Sequence, residues 1–105
     1  MDTGLKGKNV LITGASRNIG RLAALAFARE GANLALCTSS KMDRLEQVAA
    51  EARALGVKVV ALQCDVADGA AVNRFVAAAQ AQLGTIHVAI NNAVDRGAEG
   101  KFLDQ

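Results

Sequence analysis

In the stretch TGASRNIG, Gly14 and Gly20 flank Ser16, Arg17, Asn18 and Ile19 at the point where the apolar run VLIT ends and an alanine-rich segment begins. A strand that turns directly into a helix leaves the first amides of that helix, here about 18–20, without partners inside it. The helix dipole places partial positive charge at the same point. The chemistry such a turn performs is anion binding, of a phosphate above all. Gly14 permits a turn backbone that a β-carbon resists, and Gly20 lets strand and helix approach each other. The same glycines would also serve a turn built only for close packing, so this stretch taken alone leaves both readings open. Other reactive side chains are few: Cys37, Cys64 and His87, with no tyrosine or tryptophan. The two cysteines have neither metal-site spacing nor the density of a disulfide framework, so free thiols and no metal site are expected.

The elements that must position this turn follow from hydrophobic periodicity. Apolar runs at 8–13, 33–38, 57–63 and 86–91 are too short for helices and nearly continuous in hydrophobicity, as strands buried on both faces are. Between them, Met42, Leu45, Val48, Ala49, Ala52 and Leu55 share one helical stripe, and Val72, Phe75, Val76, Ala79 and Leu83 share another. Ser40 and Asp68 stand where N-caps belong, and Gly31, Gly56 and Gly84 where left-handed C-caps belong. His87, at the start of the last run, reads as a surface or structural histidine. The alternation βαβαβαβ implies right-handed crossovers and a parallel sheet. The first two helices should cover one face and the third the other, leaving the second face part covered and the edge of 86–91 open. That edge predicts self-association into a homo-oligomer.

Composition narrows the function. The 105 residues are 51% hydrophobic and 21% charged with a net charge of +2, which suits one small globular unit and offers no basic field for nucleic acid or an anionic membrane. No apolar run approaches the roughly 20 residues of a membrane span. The opening MDTGLKGKN is too polar for a signal peptide, so a cytoplasmic location is expected.

Three stretches at the ends of the first, third and fourth runs, TGASRNIG at 13–20, CDV at 64–66 and NNA at 91–93, together resemble the short-chain dehydrogenase/reductase family. The resemblance covers nearly the whole chain in the family's order. It implies that the glycine segment (Gly14, Ser16, Arg17, Asn18, Ile19, Gly20) holds a dinucleotide pyrophosphate. By the same resemblance Asp65, with Val66 beside it, meets the adenine amino group, and Asn91, Asn92 and Ala93 lie along the cofactor ribose. Two departures stand out: Asn18 replaces the family's middle glycine, and Val94 its last. Asparagine is the non-glycine residue best able to take a turn backbone. Where an NAD-preferring relative carries an acidic residue near Thr38, this chain has CTSSK. Thr38, Ser39 and Ser40 with Lys41, and Arg17 from the glycine turn, favour NADP while leaving NAD possible; Arg17 and Lys41 could equally be solvated surface cations.

The expected fold is therefore a Rossmann-like, doubly wound parallel α/β sheet of strand order 3-2-1-4, incomplete relative to the family. Residues 1–105 read as a dinucleotide-binding half-domain. The family's serine and Tyr-x-x-x-Lys pair are not in this sequence, and no catalytic residue is assigned; Asp95, Arg96 and Glu99 stand in a glycine-flanked loop without rigid support. The resemblance implies an oxidoreductase that moves hydride to or from a small carbonyl or alcohol, represented here by its cofactor-binding part and inactive on its own. Either the chain is a fragment of a longer protein or it is a short natural product. A non-catalytic dinucleotide-binding or interaction module is the alternative.

Overall fold

The computed structural model describes residues 4–15 and 18–91, without the side chain of Asn18. Its elements are β1 (Asn9–Thr13), α1 (Asn18–Arg29), β2 (Asn33–Thr38), α2 (Met42–Ala54), β3 (Val59–Gln63), α3 (Gly69–Leu83) and β4 (Val88–Asn91). All strand pairs are parallel and the sheet order is β3-β2-β1-β4, the expected α/β topology. Strands begin up to two residues later than the apolar runs, because pairing rather than hydrophobicity marks their start.

Alternation of side chains along each strand divides the core in two. Val10, Ile12, Leu34 and Leu36 point to one face, where they meet Ala24, Leu25 and Ala28 of α1 and Leu45, Val48 and Ala52 of α2. Leu11, Ala35, Cys37 and Val60 point to the other and meet Phe75 and Ala79 of α3. Small residues in β2 on this second face leave room for the Phe75 ring. β1 and β2 are thus buried on both sides, as continuous apolar runs require. β4 departs from that expectation: Val88 and Ile90 are half-buried while Ala89 is exposed. It pairs only with β1 among the described residues, and α3 packs against β2 and β3.

The helix ends are partly as expected. Asp68 caps α3, its carboxylate accepting from the amides of Ala70 and Ala71 at 3.0 and 3.3 Å. Ser40 does not cap α2: the helix starts one residue later, after Lys41, with no side-chain cap. Thr38 substitutes from two residues further back, its Oγ1 accepting from the Lys41 amide at 3.4 Å. Leu55 leaves its helical stripe and is 47% exposed, because α2 ends at Ala54 and the chain turns away through Gly56. Gly31, Gly56 and Gly84 all have positive φ, though Gly84 pairs it with an extended ψ and so is not a left-handed cap. An Arg21–Glu51 ion pair, in which Arg21 Nη2 donates to Glu51 Oε2 and Oε1 at 3.0 and 3.1 Å, joins α1 to α2 on the surface.

At the amino-terminal edge of the sheet, Asn9 joins three segments. Its Nδ2 donates to the carbonyls of Leu83 and Thr85 at 2.8 and 2.9 Å, and its Oδ1 accepts from Asn33 Nδ2 at 3.1 Å. Asn33 Oδ1 in turn accepts the Lys58 amide at 3.0 Å. The Asn9 amide donates to His87 Nδ1 at 3.0 Å, and the His87 amide donates back to the Asn9 carbonyl at 2.9 Å. His87 therefore has the structural role expected of it. Because Asn9 is buried and makes three side-chain hydrogen bonds, Asn9→Ala should destabilise the fold by about 2–3 kcal/mol, measured by urea unfolding. A change below about 0.5 kcal/mol would show that the ladder contributes little.

Candidate functional site

Because every strand runs the same way, Thr13, Thr38, Gln63 and Asn91 end β1, β2, β3 and β4 at one edge. In open α/β sheets, ligands bind at this carboxyl edge, where crossovers diverge to opposite faces. Here the divergence falls between β1 and β4, since α1 and α2 cover one face and α3 the other.

The turn after β1 is held by β2. Gly14 has φ 67°, a left-handed backbone that glycine adopts without strain. Its amide and that of Ala15 both donate to the Cys37 carbonyl, at 2.9 and 3.2 Å. α1 begins at Asn18, so its first amides, which have no partner inside the helix, lie at the carboxyl edge. Gly20 is buried in that first turn, whereas Ile19 is 70% exposed, an apolar side chain at the mouth of the site. Ser16, Arg17, Asn92 and Ala93 lie outside the described residues, as do Val94, Asp95, Arg96 and Glu99.

Thr38 is buried, and its carbonyl accepts the Cys64 amide at 2.9 Å. Ser39 and Ser40 are exposed just beyond it, and the Ser39 carbonyl accepts from Gln63 Nε2 at 2.8 Å. Asp65 is exposed and structured by its own turn: Oδ1 accepts the Ala67 amide at 2.9 Å and its carbonyl accepts the Asp68 amide at 2.9 Å. Among the described residues no hydrogen bond engages Oδ2. Val66 rests half-buried against the cluster beneath α3. Asn91 pairs with Thr13 in register, and Thr13 Oγ1 donates to the Ile90 carbonyl at 3.5 Å. Gly14, Thr38, Ser39, Asp65, Val66 and Asn91 thus share one edge of the sheet, where hydroxyls and a carboxylate lie beside the start of α1.

Two contributors were missed by sequence reasoning. The Cys37 carbonyl carries the glycine turn, and backbone acceptors leave no mark in residue type. Gln63 holds Ser39, and its one signal was a polar side chain closing an apolar run. No group of three or more metal-ligating side chains occurs among the described residues, and no helix among them is long and apolar enough to cross a membrane.

Comparisons with known proteins agree with this geometry. A family model for short chain dehydrogenase matches residues 8–103. The 3-oxoacyl-[acyl-carrier-protein] reductase FabG of Staphylococcus epidermidis is 42% identical over 86 residues, which cover 82% of this chain and 35% of that protein. An L-rhamnose 1-dehydrogenase (NAD(P)(+)) of Sphingomonas sp. is 40% identical over 89 residues, covering 85% of this chain and 35% of the relative. Among solved structures, a short-chain dehydrogenase/reductase from Serratia marcescens superposes with a TM-score of 0.84 at 36% identity, over 87% of this chain and 37% of that one. An NAD+-bound xylitol dehydrogenase superposes with a TM-score of 0.82 at 36% identity, over 88% and 35%. The chain therefore spans about a third of the length of these relatives.

Burial beneath the site has a consequence for pH. Desolvation pushes the Cys37 thiol up to about 12, with the neighbouring Cys64 adding to the shift and the Gly14 amide opposing it. The folded thiol stays neutral where the unfolded one ionises, so its contribution is complete below pH 9 and is lost as pH rises through 12. Stability should fall between pH 9 and 12, and Cys37→Ala should flatten that fall in urea titrations at each pH. An unchanged slope in the variant would assign the fall to other groups.

Proposed function

We propose that this chain, which belongs to the short-chain dehydrogenase family, is the dinucleotide-binding part of a cytoplasmic oxidoreductase that moves hydride between NADP and a small carbonyl or alcohol. The observation that carries the reading is the convergence of the Gly14 turn, the α1 N-terminus, Thr38, Asp65 and Asn91 on one sheet edge. The donor set fits a dinucleotide. Helix amides and a glycine turn suit its pyrophosphate, and the second Asp65 oxygen, unengaged among the described residues, suits an amino group.

Choice between the two dinucleotides depends on residues 38–41. Thr38, Ser39, Ser40 and Lys41 include no carboxylate, so a 2′-phosphate meets hydroxyls and a cation rather than a like charge. Arg17, from the glycine turn, would add a guanidinium suited to the same phosphate. The relatives' names include both an NAD(P)(+) enzyme and an NAD+-bound one, so the family does not decide the matter and this chain's own residues carry the preference.

Bound NADPH supplies the hydride. By the family resemblance, Gly14, Asn18 and Gly20 would hold its phosphates, Asp65 and Val66 would orient the adenine, and Asn91, Asn92 and Ala93 would lie along the ribose. Protonation of the developing alkoxide requires an acid, and these 105 residues contain no tyrosine to serve as the family's usual one.

NADPH should bind at least about tenfold more tightly than NADH by calorimetric titration, and Arg17→Ala should reduce the gap by weakening NADPH alone. Equal affinities would remove the preference; no binding of either would leave a module without a dinucleotide site. A preparation of these 105 residues should also fail to oxidise NADPH in the presence of ketones or aldehydes, positioned acid catalysis being worth about 10² to 10⁴ in rate. Saturable oxidation abolished by Gly14→Val would overturn that expectation. The open β4 edge makes self-association part of the same reading, and sedimentation of the same sample checks it.

A further inference from the structure

Successive carbonyls of a strand point to opposite neighbours, and β2 keeps that alternation to its last residue. The Cys37 carbonyl faces β1 and accepts the amides of Gly14 and Ala15, and the Thr38 carbonyl faces β3 and accepts the Cys64 amide at 2.9 Å. By the same alternation the next carbonyl, that of Ser39, would turn back toward β1 and the start of α1. Instead it accepts from Gln63 Nε2 at 2.8 Å, so it too is held by β3. Gln63 closes β3 and pairs with Thr38 in register, which sets its side chain beside the first residue past the end of β2. The peptide bond between Ser39 and Ser40 is trans, and a trans peptide points its carbonyl and its amide in opposite directions. With the Ser39 carbonyl turned to β3, the Ser40 amide is turned the other way, toward the side of the sheet where the Gly14 turn lies. One residue further on, the Lys41 amide donates to Thr38 Oγ1 at 3.4 Å as the chain enters α2.

We propose that Gln63 is a positioning residue for dinucleotide choice. By holding the Ser39 carbonyl on β3, it keeps the negative end of a peptide dipole away from the place where an adenine-ribose 2′-phosphate would lie, and it presents the Ser40 amide there instead. The proposal rests on the dinucleotide reading above. A carbonyl oxygen facing a phosphate repels it, whereas an amide N–H donates a charge-assisted hydrogen bond to it, about twice as strong as one between neutral groups. A 2′-hydroxyl both donates and accepts, so it finds a partner in either orientation of the peptide. Turning the peptide over therefore removes an attraction from NADPH and leaves NADH little changed. Gln63 touches neither dinucleotide in this scheme; it works through Ser39 and Ser40. Both serines are exposed, so packing does little to fix their shared peptide and the Gln63 bond is left to orient it. Gln63 is exposed as well and has no core packing to lose on substitution.

Calorimetric titration of NADPH and NADH into the unsubstituted protein, Gln63→Met and Gln63→Asn tests this. Methionine keeps the length of the side chain without a donor, and asparagine keeps the amide but falls one methylene short of Ser39. Both variants should bind NADPH about three- to tenfold more weakly, the range for one lost hydrogen bond, with NADH affinity changed by less than about twofold. The retained NADH affinity also shows that the variants are folded. An NADPH-to-NADH ratio equal to that of the unsubstituted protein would overturn the role of Gln63. So would equal losses for both dinucleotides, because a merely structural residue weakens both alike. A normal ratio in Gln63→Asn alone would overturn it too, since an amide that cannot reach Ser39 would then suffice. An unsubstituted protein that binds neither dinucleotide, or both equally, sinks the underlying reading, and the proposal with it, before any variant is compared.

Discussion

Parallel pairing of β1, with β2 on one side and β4 on the other, is the constraint from which the rest of the molecule follows. It places every strand's carboxyl end at one edge, and it puts the glycine turn after β1 between the ends of its two neighbours. The pairing is locked at both ends by contacts outside the ladder. At the amino-terminal edge Asn9 binds Asn33, the segment after α3 and His87. At the carboxyl edge the Cys37 carbonyl takes two amides from the turn. A register slip would forfeit both sets of contacts, and it would also exchange the two apolar faces of β1.

The two faces of the sheet are unequal, and the inequality reaches the site. On one, α1 and α2 pack as a pair joined by Arg21 and Glu51, covering β1 and β2 with leucine and valine. On the other, α3 alone covers a patch of small residues, and β4 remains half exposed. The crossovers divide at β1 and β4, the place on the carboxyl edge where open α/β sheets bind ligands.

At that edge the chemistry is divided between backbone and side chains. In the proposed site the α1 N-terminus would offer amides, a sequence-tolerant way to hold phosphate, while Thr38, Ser39, Asp65 and Asn91 would bring the groups that discriminate among ligands. Beneath them lies an apolar floor, a buried cluster to which Cys37 and Cys64 both belong. The polar rim and the thiol floor share Cys37, whose side chain belongs to one and whose carbonyl belongs to the other.

The order of the elements, the two-faced burial of β1 and β2, the glycine turn and the Asp68 cap were legible in the sequence, since each is written within a few neighbouring residues: an apolar run, a helical stripe, a glycine, a carboxylate three residues before the amide it caps. So was the family resemblance, because its three motifs recur at strand ends in order. Only the tertiary structure decided that Thr38 rather than Ser40 serves the start of α2, that Leu55 points to solvent, that Asn9 and Asn33 join the strands, and that Cys37 and Cys64 share one buried cluster. Asn9 reaches partners 74 to 78 residues away, and the thiols 27 apart in number are brought together by strand register. Such contacts depend on where distant segments are placed, and local residue patterns fix which segments form far more firmly than which atoms of theirs will touch.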